Sequence, residues 1–204
     1  MHTPIPGIQA VAFDFGGVLA DFIDPNEMRR LAEVAQVPCE PFNEAWSKHR
    51  NRFDSDEVDV AGYWSLVLDS CGSSVPRDTA IPLLQQIDTD GFSHMRGYVL
   101  QWVEELHISG MVTMMISNMS TTTYRTIVEG RDWTRHFDHL IISGQLGINK
   151  PDPKIFEHAV SVSGVPAANI LFFDDMETNV LGAKAVGMRS LLVPSRIPAK
   201  PHSA

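Results

Sequence analysis

Cysteine is scarce: only Cys39 and Cys71 occur in 204 residues. Two cysteines cannot build a disulfide framework, and nothing near them has metal-ligand spacing. Reduced thiols in a reducing compartment are therefore expected. Long hydrophobic runs are missing as well. No apolar stretch approaches the ~20 residues of a membrane span. Met1 to Gly7 carries neither a basic n-region nor a long apolar h-region, so a cytoplasmic protein with no targeting segment is the expectation. Excess positive charge is the third absence. Sixteen Lys and Arg stand against 25 Asp and Glu, a formal net charge of −9. Such a surface repels nucleic acid and anionic lipid and argues against both as partners. It also repels a phosphate ester at long range. Any phosphate site must then be made locally positive by a metal, a lysine and backbone amides. Internal repeats and low-complexity tracts are absent too.

What is there reads as a globular chain, 44% hydrophobic and 20% charged. Its length allows one α/β domain with a sizeable core, with or without a small lid. Short apolar runs at Ile8–Phe13, Met111–Ile116, Leu140–Ile142, Ile170–Phe173 and Ser190–Val193 have strand length. Most are apolar throughout, which suits parallel strands covered on both faces. Helical stretches lie between them: Gly97–His107, Pro153–Ser163 stopping at Gly164, and about Thr178–Val186 stopping at Gly187. Strands alternating with helices imply βαβ units and a doubly wound parallel sheet.

Residues 22–93 read differently. No strand is evident, and four helices are expected at Pro25–Gln36, Pro41–His49, Val60–Asp69 and Arg77–Ile87. The expected organisation is an α/β core made of residues 1–21 and 94–204, with an inserted all-helical lid at 22–93. Pro194–Ala204 is expected to be a loosely held tail.

Four strand ends carry chemistry. Asp14 follows the first strand and precedes Gly16 and Gly17, whose backbone can approach an anion and offer N–H groups. In an open parallel sheet ligands bind beyond the carboxyl ends of strands, so Asp14 is placed for a nucleophile or a metal ligand; a turn aspartate is the plainer alternative. Ser117 and Asn118 end the second strand, where a hydroxyl and an amide can hold phosphate oxygens or cap a helix. Lys150 sits between Gly147 and Pro151-Asp152-Pro153, placed to offset charge between a carboxylate and a phosphoryl group. Asp174 and Asp175 end a fully apolar strand. Their mutual repulsion calls for a cation or hydrogen bonds, and carboxylate oxygens suit Mg²⁺.

Together these motifs resemble the haloacid dehalogenase (HAD) superfamily over nearly the whole chain. Asp14 matches the motif I nucleophile, Ser117 the motif II hydroxyl, Lys150 motif III, and Asp174–Asp175 the acidic motif IV. The run SGQLGINKPDPKIF is close to the motif III region, and the helical block is similar to the family's C1 cap. DFGGVL resembles the branch that includes glucose-1-phosphate phosphatases. The resemblance implies a Rossmann-like core and hydrolysis of a small phosphorylated metabolite through an aspartyl-phosphate on Asp14. It implies Mg²⁺ held by Asp14, the Gly16 carbonyl and Asp175, with Asp174 beside it. Ser117, Asn118, Lys150 and the amides of Phe15, Gly16 and Gly17 would hold the phosphoryl oxygens.

One position departs from that pattern. Most family phosphatases carry a second aspartate two residues after the nucleophile, as general acid and base; here it is Gly16. Such a group contributes about 10²–10⁴-fold. Slow turnover is one outcome. Supply of the proton by Asp21, Asp24 or His49 is another. The resemblance to sugar-1-phosphate enzymes favours a third, a good leaving group, with anomeric phosphates turned over faster than 6-phosphates of the same sugar. Trp46, His49, Arg50, Arg52, Tyr63 and Trp64 are candidates to line the substrate pocket or to form the helical block's own core. Two rivals remain: a 2-haloacid dehalogenase, which needs no metal, and a non-catalytic phosphate-binding module.

Overall fold

The computed structural model describes residues 6–194, so the expected tail from Pro194 lies, beyond its first residue, outside the described residues. Five parallel strands form one sheet in the order β3-β2-β1-β4-β5. They are β1 (Ala10–Phe13), β2 (Val112–Ser117), β3 (His139–Ile142), β4 (Ile170–Asp174) and β5 (Arg189–Leu192). The five apolar runs thus become the five strands, with ends shifted by one or two residues.

Alternation along β1 shows why the sheet is covered on both sides. Val11 and Phe13 point to one face, where they meet Val99 and Val103 of α5 (Gly97–Ile108). Ala10 and Ala12 point to the other, against Ile155, Phe156 and Ala159 of α8 (Pro153–Ser163) and Ala183 of α9 (Glu177–Ala185). A strand's period of two makes both faces apolar only if nearly every residue is apolar. Along α5, Val99, Val103 and Leu106 are buried and Tyr98 is exposed. A short helix, α6 (Thr121–Ile127), and a single turn, α7 (Ser143–Leu146), were not foreseen; both carry too little apolar periodicity to stand out.

Strand order sets the position of the site. The chain fills β1, β2 and β3 on one side, then returns to add β4 and β5 on the other. The crevice beyond the carboxyl ends of β1 and β4 is the switch point where such sheets bind ligands. Register sharpens this. Phe13 pairs with Met115 on β2 and with Phe173 on β4. The next residue of each strand is Asp14, Ile116 and Asp174, so one row of the sheet edge carries all three.

Between β1 and α5 lie four helices: α1 (Pro25–Ala35), α2 (Cys39–Asp54), α3 (Val60–Ser70) and α4 (Arg77–Gly91). They bury an apolar cluster of their own, built from Leu31, Phe42, Phe53, Tyr63, Trp64, Val67, Leu68 and Leu84. Each such side chain contributes about 1.5–3 kcal/mol on burial. Asp24 opens α1 through a capping box with Glu27. Two connecting segments run side by side where the block joins the sheet: Asp21 N–H donates to the His94 carbonyl at 2.9 Å, and Arg96 N–H to the Leu19 carbonyl at 2.8 Å.

The α2 helix runs five residues past the expected end at His49. In the added turn Arg50 and Asp54 pair one turn apart at 3.1 Å and Phe53 is buried. The extension carries Asp54 over the sheet edge. There the Ser143 hydroxyl donates to the Asp54 carbonyl at 2.6 Å, and Asn149 Nδ2 to the Asn51 carbonyl at 2.6 Å.

Candidate active site

A cavity of about 260 Å³ opens between the sheet edge and the helical block. Asp14, Phe15, Gly16, Ser117, Asn118, Lys150 and Asp175 line it from the sheet side. Residues from four distant parts of the sequence therefore meet, as their spacing after strands requires. Phe22, Trp46, Arg50, Asp54 and Phe92 line it from the helical side.

Lys150 is at the centre. Its side chain is only 1% exposed, and Nζ lies 2.7 Å from Asp14 Oδ1 and 2.7 Å from Asp174 Oδ2. The third proton of the ammonium goes to the Ile116 carbonyl at 2.8 Å. All three acceptors belong to the row of strand ends described above. Asp152 caps α8 with Pro153 as its first residue, which fixes where the lysine's backbone starts.

Asn118 has a structural job besides the one expected of it. Its Oδ1 accepts from Lys150 N–H at 2.7 Å, and its Nδ2 donates to the Lys150 carbonyl at 2.9 Å. Both ends of the amide clamp the lysine's main chain, so the side chain positions Lys150 while the residue still borders the cavity. The capping alternative for Ser117 and Asn118 is also corrected: Ser120 caps α6, accepting from Thr123 N–H. Ser117 itself is 2% exposed and borders the cavity.

Asp174 is a buried counter-charge. Oδ1 accepts from Met176 N–H at 2.8 Å and from Asn179 Nδ2 at 3.0 Å; Oδ2 accepts from Lys150 and from the same Asn179 nitrogen at 3.1 Å. Asn179 was not singled out from sequence. Its signal was its place one turn beyond the paired aspartates, where a helix starts over a strand end.

Asp175 contrasts with its neighbour. Its Oδ1 is buried and has no hydrogen-bond partner. Burial pushes this carboxyl up to about 6, with Asp174 adding to the rise and Lys150 opposing it. Burial likewise pushes Asp14 up to about 7, against the lowering pull of Lys150. Oxygens of Asp14, Asp174 and Asp175 lie within 4.8 Å of one another. Two of these carboxylates share the Lys150 ammonium, and the third, Asp175, keeps an unanswered buried oxygen beside Asp14, an arrangement that fits a hard divalent cation.

The glycine turn is tight for two reasons. Gly17 has φ +73°, and a Cβ there would stand 2.5 Å from Asp175 Oδ2. Gly17 N–H donates to the Ala20 carbonyl at 2.8 Å, and Arg96 Nη1 donates to the Gly17 carbonyl. The Gly17 amide is thus committed to the turn, a correction to its expected place among phosphate donors. Phe15 N–H donates to Asp14 Oδ1 at 2.7 Å. A Cβ on Gly16 would meet the Phe22 ring at 3.1 Å, so an aromatic side chain borders the place of the missing second aspartate.

Of the pocket candidates, Trp46 and Arg50 border the cavity and the others do not. Tyr63 and Trp64 are wholly buried in the helical cluster. His49 is bound to the Ser70 hydroxyl at 2.8 Å, and Arg52 pairs with Glu57 at 2.7 Å on the exposed side. Among the described residues, no helix is long and apolar enough to cross a membrane.

The haloacid dehalogenase-like hydrolase family model matches residues 8–187. Phosphatase MT3486 of Mycobacterium tuberculosis is 26% identical over 193 residues, covering 91% of this chain and 87% of that protein. A HAD family enzyme from Bacteroides thetaiotaomicron, solved as a magnesium complex, superposes with a TM-score of 0.74 at 16% identity, over 95% of this chain and 97% of that one. The same enzyme has been solved with magnesium and inorganic phosphate. An L-2-haloacid dehalogenase gives a TM-score of 0.70 at 19% identity, over 96% of this chain and 90% of that one. At these identities the two structures share a fold, which leaves the chemistry to be read from the site.

Proposed function

The chain belongs to the haloacid dehalogenase-like hydrolases, and on that footing we propose that it is a Mg²⁺-dependent phosphatase acting on a small phosphorylated metabolite. The observation that carries this reading is the unpartnered, buried Asp175 Oδ1 beside Asp14. A dehalogenase has no use for a cation there, and a carboxylate oxygen left without a partner is costly unless something binds it.

Asp14 is the nucleophile in this reading, its carboxylate attacking phosphorus to give an acyl phosphate that water then hydrolyses. Lys150 holds Asp14 in place and offsets charge on the phosphoryl oxygens. The Ser117 hydroxyl and the main chain at Gly16 and Asn118 border the space for those oxygens. Asp14, Asp175 and the Gly16 carbonyl would hold Mg²⁺, which supplies Lewis-acid charge stabilisation at the phosphoryl group. Asp174 orients Lys150 rather than meeting the cation.

Residues 22–93 act as a cap on the core of 1–21 and 94–204, the paired segments around Asp21 and His94 forming the hinge. Arg50 is already neutralised by Asp54 and Asp88, so among the described residues that line the pocket none is a spare cation for a second anionic group. An uncharged, hydroxylated leaving group such as a sugar fits that better than a carboxylate-bearing one.

A panel of sugar phosphates, nucleotides and p-nitrophenyl phosphate, run with and without Mg²⁺ on wild type and Asp14→Asn, tests the reading. Metal-dependent phosphate release lost in Asp14→Asn is expected. Halide release from chloroacetate without metal would mark a dehalogenase. Phosphate and Mg²⁺ binding with no release from any ester would mark a non-catalytic binder.

A further inference from the structure

The position of the usual second aspartate is Gly16, bordered by the Phe22 ring. The three groups considered as substitutes are elsewhere. Asp21 is half-exposed and paired with Arg96 at 2.7 Å. Asp24 caps α1, and its hydrogen bonds from Glu27 and Asn26 lower its pKa, making it a poor acid. His49 is tied to Ser70. Among the described residues that line the cavity, the carboxyl groups are Asp14, Asp175 and Asp54.

We infer that Asp54, delivered by the last turn of α2, is the general acid that protonates the leaving group. This rests on the phosphatase reading above. Asp54 is 5% exposed, borders the cavity from the side opposite Asp14, and has Oδ1 held by Arg50 Nε at 3.1 Å. Arg50 thus engages Oδ1, and Oδ2 is the oxygen that carries the proton in this assignment. Arg50 is itself fixed by Asp88 through two contacts of 3.0 and 2.8 Å and enclosed by Trp46 and Phe92, at 5.0 and 5.1 Å from their ring centres. The carboxyl is therefore rigidly mounted, as an acid must be to meet one leaving oxygen. Burial pushes it up to about 6, Arg50 opposing and Asp88 and Asp56 adding. The other ionisable groups facing it are Tyr63 on α3 and, across the cavity, Asp14, Lys150 and Asp175.

The step balances simply. An Asp14 oxygen bonds to phosphorus as the bond to the leaving oxygen breaks. That oxygen keeps the electron pair and takes the Asp54 proton. The carboxylate left behind, held by Arg50, receives a proton from the water that opens the acyl phosphate. With an acid in place, the substrate need not carry a good leaving group.

The test is kcat/KM, which reports the first irreversible step, across substituted phenyl phosphates of similar shape in saturating Mg²⁺. Wild type should depend weakly on leaving-group basicity. Asp54→Asn, which keeps shape and an acceptor for Arg50, should lose about 10²–10⁴-fold on phenyl phosphate but less than tenfold on p-nitrophenyl phosphate. The fall in kcat/KM for phenyl phosphate as pH rises past about 6 should disappear in Asp54→Asn. Asp88→Asn, which loosens Arg50 without removing the acid, should lower all esters alike. Equal loss across the series in Asp54→Asn, no loss at all, or the same leaving-group dependence in Asp88→Asn overturns the assignment. Failure of wild type to cleave any ester overturns the phosphatase reading instead.

Discussion

Lys150 Nζ and Asp14 Oδ1 are 2.7 Å apart, and the same nitrogen is 2.7 Å from Asp174 Oδ2. One buried ammonium thus answers two carboxylates. Burial alone would lower the Lys150 pKa, but Asp14 and Asp174 reverse that and raise it, so the lysine stays charged across the useful pH range. Lys150→Met removes the charge and keeps most of the volume. Breaking a buried pair by deleting one partner costs about 3–5 kcal/mol. Urea denaturation without metal should show a loss of that size, and phosphate release should fall by at least about 10²-fold. A variant as stable as wild type would mean that the carboxylates are compensated in some other way.

The two neighbouring aspartates should separate in their response to metal. Asp175 has a buried oxygen with no partner, whereas both oxygens of Asp174 are used by Lys150, Asn179 and Met176. Mg²⁺ at 100 times its Kd should stabilise wild type by about 2.7 kcal/mol, read as a rise in Tm. Asp175→Asn should abolish that rise. Asp174→Asn should lower the starting Tm but retain a rise on adding Mg²⁺. Identical metal responses in the two variants would contradict this division of roles.

Metal-free stability should fall with pH. Asp14 and Asp175 sit at about 7 and about 6 in the folded chain, above their ordinary value of 3.8. The native state therefore binds more protons than the unfolded one between about pH 4 and 7. Their contribution is fully present below about pH 4 and is lost as pH rises through 6 to 7. Saturating Mg²⁺ binds the ionised forms and should flatten that part of the profile. Urea midpoints at pH 5 and pH 7.5, with and without Mg²⁺, measure both slopes. A metal-free protein more stable at pH 7.5 than at pH 5 would run against the sign.

Much of the candidate site is legible in the sequence. Apolar runs gave the five strands, and the ends of β1, β2 and β4 gave Asp14, Ser117 and Asp175, because a parallel sheet puts its strand ends at one edge; Lys150 lies eight residues past β3 and was marked instead by its glycine and proline neighbours. Which carboxylate faces the cavity was not legible. Asp174 and Asp175 are adjacent and alike, and only the strand's pleat, with Asn179 above it, decides. The hold of Asn118 on the Lys150 main chain was not legible for a related reason: an amide after a strand serves a ligand or a backbone equally well until its partner is known. Asp54 was missed outright. Its exposure to the cavity depends on α2 running past His49, and what sustains that turn is the Arg50 pairing with Asp54 and with Asp88, 38 residues further along the chain.

Gly16 and Gly17 are adjacent but should behave differently when substituted. At Gly16 an added Cβ meets the edge of the Phe22 ring at 3.1 Å, a side chain that can give by tenths of an ångström. At Gly17 it meets the Asp175 carboxylate at 2.5 Å, with the backbone at φ +73°. The left-handed conformation alone costs an alanine about 1–2 kcal/mol. The clash must also turn Asp175 away from Asp14, which separates the two carboxylates that would share a cation. Gly16→Ala should fold near wild-type stability and keep its Mg²⁺-dependent rise in Tm. Gly17→Ala should lose about 1–2 kcal/mol or more by urea denaturation and lose the metal response as well, as Asp175→Asn does. An intact Mg²⁺ response in Gly17→Ala would show that Asp175 is not held where the turn confines it, and would remove the main support for a cation between residues 14 and 175.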